Sequence, residues 1–234
     1  MTEANISNRT PFHRRVERTW AKGRALVYIP FGTEPQGLLC FLHGHGESAY
    51  GCCLTDLRRH GSPAEHVESA CVFTRNLVVV CPQLSSPREW QANDQLPIGA
   101  LVKEICCPKA DVPMVLTGFS LGGAGVFVLA SAPGGDIWSA LWAVAPTPLS
   151  GKPVPALHRR VLVHYSHNDS VTCAKEVEDY CDRAKIGKHF PSSWRVKKMS
   201  KPENHCEVCV EAYKEANAYD WVLSTAVVTD SRRL

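Results

Sequence analysis

Apolar residues gather along this chain into short runs separated by glycine- and proline-rich stretches, and the character of each run sets the element it predicts. Gly37-Leu-Leu-Cys-Phe-Leu42 and Leu77-Val-Val-Val-Cys81 are apolar at nearly every position, as are the runs Met114 to Thr117, Ala140 to Ala145 and Val161 to Tyr165. A strand with no wet side belongs in a parallel sheet covered on both faces. Two other stretches differ. Val16 to Trp20 and Ala25 to Pro30 flank Ala21-Lys22-Gly23 and read as an antiparallel hairpin at a sheet edge, while Trp194 to Met199 alternates and reads as an edge strand with one wet face.

Helical periodicity fills the gaps. Val177, Tyr180, Cys181 and Ala184 form the i, i+3, i+4, i+7 stripe of an amphipathic helix. Val208, Cys209, Ala212, Tyr213, Ala216 and Tyr219 line one side of a single closing helix that runs into Leu223. Helices are also expected from Ser48 to about His60 and from Pro97 to Cys107, with the strand before the latter stopping at Pro82. Pro146 to His158 is a proline-rich loop without helical period. Strands alternating with helices predict an α/β protein with a mostly parallel central sheet and helices on both faces. The division expected is a polar N-terminal segment, 1–15, and a single domain, 16–234.

Composition adds exclusions. A net charge of +3 with no basic run gives no footprint for nucleic acid. No apolar run approaches the roughly 20 residues that span a bilayer, so stable membrane insertion is not expected. The start lacks a signal-peptide core, and Glu3 and Glu17 argue against reading Arg9, Arg14, Arg15 and Arg18 as a transit peptide, which leaves a cytoplasmic location as the expectation. Asn5-Ile-Ser7 and Asn8-Arg-Thr10 match the glycosylation acceptor pattern, which has no consequence in that compartment. The 11 cysteines are odd in number and scattered through core positions such as Cys40 and Cys81, which suits reduced thiols better than a disulfide framework. Cys206-x-x-Cys209 has the spacing of half a zinc site with no second half, and reads as a helix-face coincidence.

One stretch carries chemistry. In Met114-Val-Leu-Thr-Gly-Phe-Ser-Leu-Gly-Gly-Ala-Gly125 a strand meets a sharp turn and then a helix. Such a turn strains the central serine, so Gly118 and Gly122 must lack side chains to clear the incoming strand and outgoing helix. Ser120 is left at the carboxyl edge of the sheet, where an α/β fold collects reactive groups. Asp169 follows one later strand, and His205 follows the edge strand just before the last helix. A serine hydroxyl requires a base, and imidazole, with an intrinsic pKa of roughly 6.5, suits that task. A carboxylate would then hold the imidazole in one tautomer. Backbone N–H groups of Leu121 and His45 are candidate oxyanion donors, with Gly44 and Gly46 allowing close approach. Alternatives stand beside each role. Asp169 or Asn168 could cap the segment beginning near Thr172, Glu203 could compete as the acid, and His164 or His167 as the base. His43, His45 and His205, with Glu47, could instead bind a metal.

Together these stretches resemble the α/β-hydrolase superfamily, and within it the predicted-esterase branch of dienelactone-hydrolase-like, feruloyl-esterase-like and phospholipase/carboxylesterase-like enzymes. The likeness is carried by Phe41-Leu-His-Gly-His-Gly-Glu47, Leu116 to Gly125, Val161-Leu-Val-His-Tyr-Ser-His-Asn-Asp-Ser-Val171, and His205 with Glu211-Ala-Tyr213 and Tyr219 to Ser224. It departs where Tyr165-Ser-His replaces a frequent His-Gly-x and where Asn204 replaces the glycine that commonly precedes the histidine. The resemblance implies a Ser120, Asp169 and His205 triad, minimal or no lid, no metal or organic cofactor, and a small-molecule ester or thioester substrate. Long-chain thioesterase or lysophospholipase activity is the enzymatic alternative, and a non-catalytic ligand-binding protein is the alternative of another class.

Overall fold

The computed structural model describes residues 12–106, 112–155, 159–184, 193–201 and 204–224. The strands are β1 (His13–Trp20), β2 (Gly23–Pro30), β3 (Gly37–Leu42), β4 (Leu77–Leu84), β5 (Met114–Phe119), β6 (Ala140–Val144), β7 (Arg160–Ser166) and β8 (Trp194–Met199). They form one sheet in the order β1-β2-β4-β3-β5-β6-β7-β8. β2 is antiparallel to both β1 and β4, and the other neighbours are parallel.

Two cores sandwich this sheet, because successive side chains of a strand point to opposite faces. Leu38, Cys40, Val78 and Val80 enter one core with α2 (Gln95–Ile105), α3 (Leu121–Ala130) and α4 (Ala174–Ala184). Leu39, Phe41, Val79 and Trp142 enter the other with α1 (Pro63–Glu68), α5 (His205–Tyr213) and α6 (Ala216–Leu223). Each central strand is therefore buried on both sides, which is why β3 and β4 read as unbroken apolar runs. β8 lies at the edge, and its Arg195, Lys197 and Lys198 are exposed.

Three expectations are corrected. The helix expected from Ser48 to about His60 is not there; that stretch holds only a 3-10 turn, Leu54–Arg58. The Asp56 carboxylate accepts the Cys53 N–H at 2.9 Å and the Cys52 thiol at 3.3 Å, a local bond that competes with helix growth. The helix comes later, as α1, where Ser62 Oγ accepts the Glu65 N–H at 3.3 Å and Pro63 takes the first position. The strand expected to stop at Pro82 continues to Leu84. β3 pairs β4 only from Leu77 to Val80, so Pro82 sits where β4 has β2 alone as a neighbour, a position that tolerates proline. The single closing helix is two helices, α5 and α6, interrupted at Lys214 and Glu215.

None of the ten described cysteines is in a disulfide. Cys209 packs in the core beneath α5, where burial pushes its thiol well above the ordinary range, while Cys206 is exposed. Among the described residues no helix is long and apolar enough to cross a membrane. Asn5, Asn8, Arg9, Cys107, Glu203 and residues 156–158 lie outside the described residues.

Candidate active site

β5 ends at Phe119, and the next residue turns the chain sharply into α3. Ser120 adopts φ 57°, ψ −119°, a conformation disfavoured for any residue with a side chain. Its neighbours explain how the turn closes. A Cβ on Gly118 would lie 2.4 Å from Gly122 O, and one on Gly122 would lie 1.9 Å from Leu42 O. The backbone locks the strain in place: Ser120 N–H donates to Val144 O at 2.9 Å, and Ser120 O accepts from Ala124 and Thr147 at 3.1 and 3.2 Å. Leu121 is the first residue of α3, whose opening N–H groups lack helical partners.

The loop after β7 brings Asp169 to the same edge. Its Oδ2 lies 2.7 Å from His205 Nδ1, and its Oδ1 accepts the N–H groups of Val171 and Thr172 at 2.8 and 3.0 Å. Asp169 thus uses one oxygen to brace its own loop and the other to face the histidine. Burial would raise its pKa, but the bonds from His205, Thr172 and Val171 outweigh that and hold the carboxyl below its ordinary value. His205 opens α5, and Asn204 caps that helix by accepting the Glu207 N–H at 3.0 Å. The departure from glycine at 204 therefore serves the helix that carries the imidazole.

Two residues not singled out from the sequence complete the setting. Phe119 lays its ring 4.6 Å from that of His205, so the residue before the serine holds the imidazole from the side. Thr172 Oγ1 donates to Ala145 O at 2.9 Å and lies 3.5 Å from His205 Nδ1. His205 Nε2 is buried and has no hydrogen-bond partner among the described residues. An aromatic residue before the serine was visible in Gly-Phe-Ser; its role depends on a contact across the fold.

The Gly44 turn packs against the elbow, since a Cβ there would meet Phe119 O and Ser120 Cβ, each at 3.5 Å. At Gly46 nothing lies within 4 Å of the Cβ position, and its φ of 82° by itself calls for glycine. Glu47 Oε2 accepts the Gly44 N–H at 2.7 Å, and burial raises the carboxyl's pKa despite that bond. His45 is exposed. His43 is not available as a ligand: Nδ1–H donates to Gly44 O at 2.8 Å and Nε2 accepts the Leu84 N–H at 3.2 Å, with burial lowering its pKa to about 4. His164 is fully buried within β7 and His167 is exposed, and neither is paired with Asp169. Beyond β6, the loop through Pro155 contains no helix among its described residues. It is held down by Glu176 Oε1, which accepts the Leu149 and Ser150 N–H groups at 2.8 and 2.6 Å, and by Tyr180 OH, which donates to Pro153 O.

No protein-family model matches the chain, and no curated protein matches its sequence. Solved structures match its fold. An α/β serine hydrolase without a lid from Xanthomonas campestris superposes with TM-score 0.60 at 13% identity, over 94% of this chain and 99% of that one. The feruloyl esterase module of Clostridium thermocellum, complexed with sinapinate, gives 0.65 at 14% identity, over 92% and 89%. A thermostable esterase gives 0.63 at 15% identity over 90% of this chain, which spans 62% of that protein's length. The chain has the α/β-hydrolase fold.

Proposed function

We propose that the protein is a serine hydrolase that cleaves carboxylic esters through an acyl-enzyme, with Ser120 as nucleophile, His205 as general base and Asp169 as the group that orients the base. The observation that carries this reading is the 2.7 Å contact of His205 Nδ1 with Asp169, which leaves Nε2 without a hydrogen-bond partner among the described residues, on a ring packed against that of Phe119, the residue before Ser120. With Nδ1–H given to the carboxylate, Nε2 holds a lone pair and can accept a proton.

Ser120 Oγ attacks the acyl carbon as its proton passes to Nε2, and the N–H groups of Leu121 and His45 receive the developing oxyanion. Collapse expels the alcohol, which takes the proton from the imidazolium. Water, deprotonated by His205, then attacks the acyl carbon, and the carboxylic acid leaves as Ser120 regains its proton. No metal or organic cofactor enters this scheme. Esterases among the structural neighbours support hydrolysis of a small-molecule ester, and the absence of a disulfide among the ten described cysteines suits a reducing, cytoplasmic setting.

A fluorophosphonate probe tests the proposal, because it reports an activated serine without the natural substrate. Wild-type protein is expected to label, and Ser120→Ala and His205→Ala to remain unlabelled. A folded wild-type protein that does not label sinks the reading.

A further inference from the structure

A second site lies away from the elbow, between edge strand β8 and α6. The alternation of β8 that leaves one face wet puts Arg195 and Lys197 on the face that α6 covers, and the register aligns them with Leu162 and His164 of β7. A hollow of about 340 Å³ opens there, lined by these residues with Glu215, Asn217, Ala218 and Trp221. That volume falls at the lower end of small-molecule sites, about 300–1,000 Å³.

The polar groups of the hollow are not balanced. Glu215 is the one carboxylate in its lining, and it is already engaged, with Oε1 on Lys197 Nζ and Oε2 2.8 Å from His164 Nε2. Trp142 Nε1 can only donate, and it does so to His164 Nδ1 at 2.9 Å, so the His164 proton sits on Nε2 and points to Glu215. Burial lowers the His164 pKa and favours that neutral form. Arg195 has no carboxylate partner among the described residues; its guanidinium lies over the Trp221 ring, 4.9 Å from the centroid. Arg160, on the same face of β7, feels burial first and then the charge of Arg195, both of which lower its pKa. A guanidinium over an indole still has N–H donors to offer, and its planar fork can grip a carboxylate by two parallel bonds.

We infer that this hollow binds a small organic carboxylate, its charged end on the Arg195 fork with Asn217 alongside and its apolar body against Trp221, Ala218 and Leu162. The apolar walls select such a ligand over inorganic phosphate. This inference does not depend on the chemistry proposed for Ser120.

Calorimetric titration with benzoate, hexanoate and inorganic phosphate tests it on wild-type, Arg195→Gln, Arg195→Lys and Trp221→Phe proteins. Arg195 is exposed, so its variants are expected to keep the wild-type melting temperature. Benzoate or hexanoate is expected to bind with Kd about 1 mM or tighter. Arg195→Gln should weaken binding about tenfold or more, and Arg195→Lys should restore only part of it, because lysine lacks the two-pronged geometry. The ligand-induced change in tryptophan fluorescence should vanish in Trp221→Phe. Three results overturn the proposal: no saturable binding of either carboxylate, affinity unchanged in Arg195→Gln, or phosphate bound as tightly as the carboxylates.

Discussion

Asp169 and His205, 36 positions apart, meet at 2.7 Å through Oδ2 and Nδ1, while the other oxygen of Asp169 holds its own loop. The two oxygens can be separated by mutation. In Asp169→Asn the amide oxygen can keep the Val171 and Thr172 bonds but the ionised partner of His205 is gone, so kcat should fall about 10⁴-fold with little change in stability. Asp169→Ala should lose the same activity and, in addition, about 1–3 kcal/mol of stability, chiefly because the buried Thr172 N–H goes unmet. Ester hydrolysis rates and urea denaturation of both variants check the pair; equal stability would refute the division of labour.

Under the proposed mechanism Ser120→Ala should lower ester hydrolysis about 10⁵-fold or more, because a serine and a histidine that share one proton transfer are lost as a unit. The double variant with His205→Ala should be no slower than either single one. Steady-state rates on a nitrophenyl ester measure this, and multiplicative losses would contradict a shared proton transfer.

Two glycines near the elbow should respond differently to alanine. At Gly122 the new Cβ would lie 1.9 Å from Leu42 O and 2.7 Å from His43 O, both backbone atoms, so the sheet edge must shift and the cost should reach about 3 kcal/mol or more. At Gly46 no atom is near, and only the positive φ opposes the substitution, at about 1 kcal/mol. Urea unfolding midpoints give the ratio.

Asp94 offers a pH-dependent test of stability. Its buried carboxylate accepts both Arg88 Nη1 and Nη2 at 2.7 Å, Lys22 Nζ at 2.6 Å and the Gln91 N–H at 2.8 Å. Burial alone would raise its pKa, but these bonds prevail and leave it lowered. A carboxyl lowered on folding contributes stability above its unfolded pKa, and that contribution drains away as pH falls through the unfolded value toward the folded one. Asp94→Asn should therefore cost about 2 kcal/mol near neutrality, a figure discounted because Arg88 and Lys22 are partly solvated. The gap in melting temperature between variant and wild type should narrow as pH falls below about 4 and close only below the lowered folded value.

Periodicity carried the central sheet because each strand's burial is written in its own residues: Gly37 to Leu42 and Val161 to Tyr165 are apolar on both faces and fold as such. It failed at Ser48 to His60, where the side chain of Asp56 redirects the backbone, and at Pro82, whose tolerance depends on where β3 stops pairing with β4. It also read α5 and α6 as one, since their apolar stripe continues across the break at Glu215.

The order of Ser120, Asp169 and His205 along the chain, the glycines that the elbow demands and the doubly covered sheet were settled by the residues alone, because strain, spacing and amphipathic period are local properties. Tertiary structure decided the rest. Only the parallel register of β5, β6 and β7 carries Ser120 and Asp169 to one edge, and only the end of β8 delivers His205 there, so the Asp169 to His205 bond and the Phe119 stack exist through space and nowhere in sequence. The hollow beside α6 follows the same rule: Arg195 of β8, Trp221 of α6 and Glu215 before it come together only through the packing of that helix beside the edge strand.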